Sequence, residues 1–351
     1  MRVETRLTFI RKQDIGGEGR NSEVFIAEDI QLNAEIVVKS IEKKKLADLN
    51  ITDYFSEAKI LYASTHPNIV EMNYSCEDDK FIYLSMPMYK NGSINSLMNK
   101  RYLSVREIIT YSLEFLSGVH YIHTKGLLHF DIKPTNILIS DSNTALLTDF
   151  GLAKYINEYG FAQPDLLYPP HRAPESYNVG SLDVYHDIYH CGLTIYRMCN
   201  GNAEFANQLR TAKQSDVLAG TFPDRNKYLP HIPKSIQNVI KKALAVNPKD
   251  RYDTVLALLN DLSKIDKNLD WKYTEDALGG TYVWSLEEDK TIKYIQVVAT
   301  NSQWKIEGKQ YSKATLKTTN VSKWNSNGYN SIQEAFKKVT SLIYEHENPK
   351  K

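Results

Sequence analysis

The chain has 351 residues, and its 43 lysines and arginines almost balance its 42 aspartates and glutamates, which leaves a formal net charge of +1. This balance argues against a surface built for nucleic acid or for an anionic membrane. The three cysteines, Cys76, Cys191 and Cys199, lack disulfide or metal-binding spacing, and no apolar run is long enough to span a bilayer. We therefore expect a cytoplasmic protein of about two domains that has no membrane partner.

The N-terminal part of the chain alternates apolar and polar positions, a pattern typical of strands. The segments 23–28 and 35–39 predict two strands joined by a turn near Asn33, and 81–84 predicts another strand. Apolar residues recur at helical spacing over five segments, which are 51–63, 105–123, 183–199, 234–245 and 254–264. This order predicts a β-rich region followed by a helical one.

The composition changes after residue 266, because all four tryptophans lie beyond that point. Runs typical of strands return at 281–286, 291–299 and 314–319. Ser331 then heads an amphipathic helix with Glu334 three residues on, which is the pattern of a capping box. We expect a linker at 266–276 and a separate small α+β module of unassigned role at 277–351.

A glycine-rich segment, GGEGRNSEV at 16–24, stands immediately before a predicted strand. Taken alone, it fits an ordinary hairpin turn equally well. A dinucleotide-binding fold would need a helix directly after the glycines, whereas a strand follows here. We therefore favour a flap of two strands and a turn that covers phosphate groups. Its nucleotide-binding residues would be Gly17, Gly19, Ser22 and Val24.

Residues 128–136 (LHFDIKPTN) and 148–151 (TDFG) carry two carboxylates, a lysine and an amide in the order that phosphoryl transfer requires. Asp131 could accept a proton from a substrate hydroxyl, and Lys133 could neutralise charge on the travelling phosphate. Mg²⁺ could be held by two of these side chains, Asn136 and Asp149. Small-molecule phosphotransferases share this loop chemistry, so the two segments alone leave the class of acceptor open.

Together the two segments resemble the catalytic loop and the metal-binding loop of eukaryotic-type protein kinases. The resemblance extends upstream to residues 57–70, which are similar to the αC helix of that family and its exit. It implies that Glu57 pairs with Lys39 and that this pair aims the lysine at the phosphates of ATP. Residues 84–89 resemble the hinge between the kinase lobes. The adenine contacts would then come from Met86, Pro87 and Tyr89.

Three downstream segments strengthen the resemblance, namely HRAPE at 171–175, DIYHCG at 187–192 and NPKDR at 247–251. The resemblance implies that Asp187 braces the catalytic loop and that Arg251 pairs with Glu175. Aminoglycoside-type phosphotransferases lack these segments, which argues against that class.

The resemblance covers residues 8–265 and implies a two-lobed α+β fold. Its β-rich upper lobe would comprise residues 1–88 and its helical lower lobe residues 89–265. The implied cofactors are ATP and Mg²⁺, and the implied partner is a protein substrate. The alternative is a pseudokinase scaffold that binds nucleotide or a partner without catalysis. We favour an active enzyme because all of the polar catalytic positions are filled.

The Lys133-Pro134 dipeptide follows the Ser/Thr-directed version of the catalytic loop, but two residues depart from the family pattern. Tyr168 stands where Ser/Thr kinases place a threonine beside that lysine. Phe130 replaces the arginine that usually binds an activation-loop phosphate. Residues 151–172 contain no serine or threonine, and their only hydroxyl-bearing side chains belong to Tyr155, Tyr159 and Tyr168. We hypothesise a kinase that needs no activation-loop phosphate.

Two other patterns suggest functions, but neither determines one. His186 and His190 stand four residues apart, a spacing that could bind zinc, but no further ligand pair follows and we reject this hypothesis.

Between Lys290 and Lys338 there are nine lysines and two glutamates, which gives a charge of +7. Aromatic residues are interleaved with these lysines and could face an acidic protein or a nucleic acid, although we favour an ordinary solvated face over an aromatic core. A docking role and self-association stay open.

Overall fold

The computed structural model of the protein describes residues 7–16, 22–46, 55–164, 166–178, 180–276, 278–300 and 302–349. A β-rich lobe is followed by a helical lobe and then by a smaller region of strands and one helix, which confirms the predicted fold class. Among the described residues, no helix is both long enough and apolar enough to cross a membrane.

The upper lobe is one antiparallel sheet with the strand order β1-β2-β3-β5-β4. Its strands are β1 (Phe9–Gly16), β2 (Ser22–Asp29), β3 (Ala34–Glu42), β4 (Tyr74–Glu77) and β5 (Phe81–Pro87). In β3, Ile36 and Val38 point into a small apolar core, so the alternate residues Val37 and Lys39 point to the other face. Helix α1 (Ser56–Ala63) packs against the sheet, where Ala58 meets Ile82 and Leu84.

The lower lobe is built around α3, which is buried along most of its length. Its elements are α2 (Ile94–Met98), α3 (Val105–Thr124), β6 (Leu127–Leu128), β7 (Ile137–Ile139), β8 (Ala145–Leu147), β9 (Lys154–Tyr155), α4 (Val184–Leu209), α5 (Gln214–Ala219), α6 (Lys234–Ala243) and α7 (Val255–Ser263). Ser104 and Glu107 form a capping box at the start of α3, and α4 kinks at Gly201, where φ is 81°.

Two short strand pairs hold the polar segments of the lower lobe. The pair β7–β8 separates residues 131–136 from 148–151, and the pair β6–β9 ties the start of the catalytic loop to the segment after 151. A parallel bridge from Ile69 to Leu147 connects this region to the upper lobe. The two predicted chemical segments therefore lie where the lobes meet.

The C-terminal region is an antiparallel sheet covered on one face by a helix. Its elements are β10 (Lys272–Asp276), β11 (Thr281–Glu287), β12 (Thr291–Ala299), β13 (Trp304–Ser312), β14 (Thr318–Asn320), β15 (Ser326–Tyr329) and α8 (Ile332–Glu347). Trp284, Ile295 and Val297 of the sheet pack against Val339 and Ile343 of the helix. This confirms the predicted α+β character, and we call residues 271–347 the C-terminal module.

The predicted boundary and one predicted strand need correction, and one strand was missed. Residues 272–276 form strand β10 of the module and pair with β11, so they are not part of a linker. Only Tyr273 of this strand is buried, so the segment lacks the alternation of apolar and polar residues by which a strand is predicted. Strand β13 was missed because Gly308 interrupts its inward face at the point where Trp324 approaches the backbone. The run predicted at 314–319 is mostly a turn before β14.

The C-terminal module packs on the lower lobe beside the start of α3. Arg106 makes a bidentate ion pair with Asp270, the residue immediately before the module, at 2.6 and 2.8 Å. The Tyr102 hydroxyl donates to Glu275 at 2.7 Å, and the ring of Tyr102 stands edge-on to Tyr273. The module is thus joined to the lobe by side-chain contacts as well as by the chain.

A buried ion pair closes the lower lobe, as the sequence predicted. Both terminal nitrogens of Arg251 donate to the Glu175 carboxylate, at 2.8 and 2.7 Å, and the guanidinium also donates to the carbonyls of Ala245 and Tyr185. The Arg251 side chain is 0% exposed and that of Glu175 is 14% exposed. Both partners are therefore held inside the protein.

We predict that Arg251→Ala destabilises the protein by about 3–5 kcal/mol, because it leaves Glu175 buried without its counter-charge. Urea unfolding followed by far-UV circular dichroism measures the change, because all four tryptophans lie in the C-terminal module and would report on the module instead. The control is Lys264→Ala, which removes an ion pair with Asp261 whose side chains are 73% and 43% exposed. That variant should unfold at the wild-type midpoint, and equal losses in the two variants would contradict the prediction.

Candidate active site

Lys39 joins three separate parts of the chain. Its Nζ lies 2.8 Å from Oε1 of Glu57 on α1 and 2.7 Å from Oδ1 of Asp149, which follows β8. The predicted pairing of Lys39 with Glu57 is confirmed, and Asp149 is a second partner. Strand, helix and loop therefore converge on one ammonium group through charge-assisted hydrogen bonds.

The charge states of Lys39 and Asp149 depend on each other. Burial lowers the pKa of Lys39, but the nearby Asp149 and Glu57 carboxylates raise it more, so the pKa lies above its usual value. Burial raises the pKa of Asp149, but the charge of Lys39 outweighs burial and holds that pKa below its usual value. At neutral pH the site therefore contains an ammonium ion beside ionised Asp149.

The backbone of the catalytic loop is held by one buried carboxylate, as predicted. Oδ1 of Asp187 accepts from the Phe130 N–H at 2.9 Å, and Oδ2 accepts from the His129 N–H at 2.8 Å. His123 Nε2 lies 2.8 Å from the same Oδ2. Burial alone would raise the pKa of Asp187, but these hydrogen bonds and the nearby histidines outweigh burial, so the pKa lies below its usual value. They also hold Phe130 at a φ of 65°, which is uncommon for this residue.

Asp131, Lys133 and Asn136 form a second polar cluster in the loop. Lys133 Nζ lies 3.0 Å from Oδ2 of Asp131. The Asn136 amide donates to Oδ2 and to the carbonyl of Asp131, both at 2.9 Å. Burial raises the pKa of Asp131, against the opposing charge of Lys133. A carboxylate of raised pKa is a better proton acceptor, which suits the predicted role of Asp131.

A cavity of about 450 Å³ lies between the lobes. Eight of the predicted site residues line it, namely Ser22, Val24, Lys39, Met86, Pro87, Tyr89, Asn136 and Asp149. Val24 is the cross-strand neighbour of Lys39, so the two side chains share a face of the sheet. Gly17 and Gly19 lie outside the described residues. Glu57, Asp131 and Lys133 do not line it, but Glu57 contacts Lys39, Asp131 contacts Asn136, and Lys133 contacts Asp131.

The cavity also has lining residues that the sequence interpretation missed. Val37 shares the cavity face of β3 with Lys39, and Leu138 follows Asn136 by two positions. Val37 lies two residues from Lys39 on an extended strand, a spacing that would have identified it, whereas Asn136 ends a 3-10 turn before Leu138. Further lining residues come from the start of α2, namely Ser93, Asn95 and Ser96. Their only signal was the capping box at Ser93, which predicts a helix start and no ligand contact.

The lining fits a nucleotide with a divalent cation. Apolar walls from Val24, Val37, Met86 and Leu138 suit a flat base. The charged end holds Lys39 together with the oxygen-bearing side chains of Asp149 and Asn136, and oxygen donors are the ligands that hard cations such as Mg²⁺ prefer.

An apolar cluster holds the segment that follows Asp149. Phe130 is fully buried with Leu128, Ala162 and Leu182, and the flanking residues Leu152, Ile156, Leu167 and Val184 pack around them. The backbones of Ala162 and Leu182 exchange two hydrogen bonds of 2.8 Å. In this protein, the position of the usual phosphate-binding arginine is therefore part of a packed core.

The two histidines of α4 lie beside the buried carboxylate of Asp187. Ligand atoms of His186, Asp187 and His190 lie within 4.8 Å of one another. Both oxygens of Asp187 already accept hydrogen bonds from the catalytic loop or from His123. Burial lowers the pKa of His186 to about 4, so this ring is neutral inside the lobe. In the part of the chain that the structure describes, Asp187 is the only acidic, histidine or cysteine side chain grouped with the pair, whereas a structural zinc ion requires four ligands.

Curated relatives of the chain are serine/threonine kinases. "Probable serine/threonine-protein kinase PknB" of Lactococcus lactis is 27% identical over 252 residues, which cover 70% of this chain and 40% of that protein. "Serine/threonine-protein kinase PrkC" of Bacillus subtilis is 24% identical over 328 residues, covering 92% and 49%. "Serine/threonine-protein kinase PknL" of Mycobacterium tuberculosis is 24% identical over 255 residues, covering 72% and 64%. The chain thus spans 40–64% of the length of these relatives.

A family model described as the protein kinase domain matches residues 9–261. The match begins at the first residue of β1 and ends within α7, so it coincides with the two lobes and excludes the C-terminal module. Since the matched region is more than half of the chain, the chain belongs to the protein kinase family.

Proposed function

We propose that this protein is an active Ser/Thr protein kinase that transfers the γ-phosphate of ATP to hydroxyl groups of protein substrates. The observation that carries the proposal is the convergence of two polar clusters, Lys39 with Glu57 and Asp149, and Asp131 with Lys133 and Asn136, on one cavity. The names of the relatives support the same activity. A cytoplasmic location, which suits three free cysteines, is part of the proposal.

The residues have distinct roles in this proposal. Lys39, held by Glu57, contacts the phosphates, and Asp131 orients the acceptor hydroxyl and accepts its proton. Lys133 neutralises charge that develops on the transferred group. The family implies ATP and a divalent metal, and we propose that Asn136 and Asp149 hold Mg²⁺, which neutralises phosphate charge when bound.

We expect Asp131→Asn to lower phosphate transfer by about a hundredfold or more, because the proton acceptor is lost. Incorporation of radiolabelled phosphate from ATP into dephosphorylated casein measures it. Affinity for Mg-ATP, measured by calorimetry, should stay close to the wild-type value because Asp131 does not line the described cavity. If the wild-type protein incorporated no more phosphate than the variant while both bound ATP, the pseudokinase alternative would replace the proposal.

We also propose that activity requires no phosphate on the activation segment, which comprises residues 151–175. The packed cluster around Phe130 takes the place of the arginine–phosphate contact that orders this segment in the kinases that the chain resembles. Two tyrosines of the segment, Tyr155 and Tyr159, are 57% and 76% exposed, so neither is part of that packing. Order in the segment is then supplied by buried apolar area, which is present as soon as the chain folds.

Phosphatase-treated protein and the Tyr155→Phe/Tyr159→Phe variant should both retain the wild-type rate of phosphate transfer. Phe130→Ala should lower that rate by roughly tenfold or more, because removal of a buried aromatic ring loosens the segment. The control is Phe161→Ala, which removes a ring of the same segment that is 41% exposed and should leave the rate unchanged. Loss of activity on phosphatase treatment, with recovery after rephosphorylation of the segment, would contradict the proposal.

For the C-terminal module we propose an acidic protein segment as partner. Lys305 and Lys309 lie on the sheet face opposite α8, and their side chains are 40% and 36% exposed. Lys309 is the cross-strand neighbour of Tyr294. Glu307 lies between them and pairs with both. A nucleic acid would bring a phosphate against that carboxylate, whereas an acidic protein can place its carboxylates on the lysines alone. Two further lysines of the module pair with acidic residues, which reduces the excess charge.

Fluorescence anisotropy of labelled poly-glutamate with the full chain tests this proposal. Binding should weaken as salt rises, and Lys305→Ala/Lys309→Ala should weaken it by about tenfold because two charge contacts are lost. The matched control, Lys337→Ala/Lys338→Ala, changes two lysines of α8 on the other side of the module and should bind like the wild type. The proposal is wrong if poly-glutamate does not bind, or if single-stranded oligothymidylate binds more tightly.

A further inference from the structure

Tyr168 makes a contact that an ordinary Ser/Thr kinase would not make at this position. Lys133 Nζ lies 4.4 Å from the centroid of the Tyr168 ring. The same Nζ lies 3.0 Å from Oδ2 of Asp131. One ammonium group thus bridges the proposed proton acceptor and an aromatic face, at a distance typical of a cation–π interaction.

The Tyr168 ring is held in place by the turn that follows it. Pro169 and Pro170 come next in the chain, and a residue before proline is restricted to extended backbone, which agrees with φ −73° and ψ 113° at Tyr168. The His171 N–H donates to the Tyr168 carbonyl at 3.0 Å, and the two rings meet edge to face at 5.5 Å. His171 is itself buried and lies 2.9 Å from an Arg197 nitrogen.

We propose that Tyr168 is a positioning residue that fixes the Lys133 ammonium beside Asp131 through the face of its ring. This inference rests on the proposed kinase function. The aromatic face takes the place of the threonine hydroxyl that the resemblance predicts beside this lysine. A flexible lysine side chain has many rotamers, and two opposed contacts, a carboxylate and a ring, restrict it to one. Lys133 is then ready to meet the charge that forms on the transferred phosphate.

The consequence is an effect on catalysis rather than on ATP binding. Tyr168 is absent from the described lining of the nucleotide cavity, and its side chain touches Lys133 instead. A contact that stabilises charge only in the transition state changes kcat, whereas a contact that binds the substrate equally in the ground state changes KM. Removal of the ring should therefore lower kcat and leave the KM for ATP unchanged. The hydroxyl of Tyr168 has no part in the contact, so phenylalanine should replace tyrosine.

The experiment compares Tyr168→Phe and Tyr168→Leu in the full chain, with dephosphorylated casein as acceptor. Tyr168→Phe keeps the aromatic face and should retain kcat within about twofold of wild type. Tyr168→Leu keeps an apolar side chain without the aromatic ring and should lower kcat by about tenfold at an unchanged KM for ATP, a loss of the size expected for a cation–π contact. Equal losses in both variants would assign the effect to the hydroxyl, and wild-type kcat in Tyr168→Leu would remove any role for the ring; either result overturns the inference.

A second readout separates this inference from the proposed function. The ring current of an aromatic face shifts the Nζ-proximal methylene resonance of Lys133 upfield, and this shift needs no catalysis. It should be present in the wild type and in Tyr168→Phe and absent in Tyr168→Leu, with Lys133→Met identifying the resonance. If the wild-type protein failed to phosphorylate casein but kept the shift, the proposed function would fail alone. If it was active and lacked the shift, the positioning role would fail alone.

Discussion

The site depends on one buried cation shared by two carboxylates. Lys39 on the sheet, Glu57 on a helix and Asp149 on a loop of the other lobe have little reason to approach each other except through this ammonium group. Burial raises the pKa of Glu57, whereas the charge of Lys39 holds the pKa of Asp149 below its usual value, so Asp149 is the carboxylate that stays ionised beside the cavity. The contact that joins the two lobes therefore also forms the charged end of the cavity, where we propose that Mg²⁺ and the phosphates bind.

A second constraint fixes the loop that performs the chemistry. Asp187 accepts two backbone N–H groups from His129 and Phe130 and thereby stabilises a positive φ that Phe130 would otherwise avoid. Once Phe130 is held there, its ring packs with Ala162 and Leu182 of the segment that follows the metal-binding loop. A backbone strain at one residue is thus offset by apolar burial, and in our proposal this packing takes the place of the usual electrostatic switch.

The polar residues of the site were predictable because their chemistry needs particular side chains at particular spacings. Asp131 and Asp149 could be named from the sequence for this reason, whereas the pairs Lys39–Glu57 and Arg251–Glu175 were implied by the resemblance to protein kinases. Features that depend on packing were harder to predict from the sequence. Strand β10 has a single buried side chain and was assigned to a linker, and β13 carries a glycine where the pattern requires an apolar residue. The contact of Tyr168 with Lys133 depends on a turn of two prolines, which sequence spacing alone does not orient.

The most direct test is a crystal structure of the full chain with a non-hydrolysable ATP analogue and Mg²⁺, on protein that mass spectrometry shows to be free of phosphate. We expect Lys39 to keep Glu57 as its partner, Asp149 to face the bound metal, and Phe130 to stay packed against Ala162 and Leu182. An Asp149 carboxylate turned out of the cleft, or an activation segment displaced from Phe130 in this unphosphorylated protein, would contradict the account.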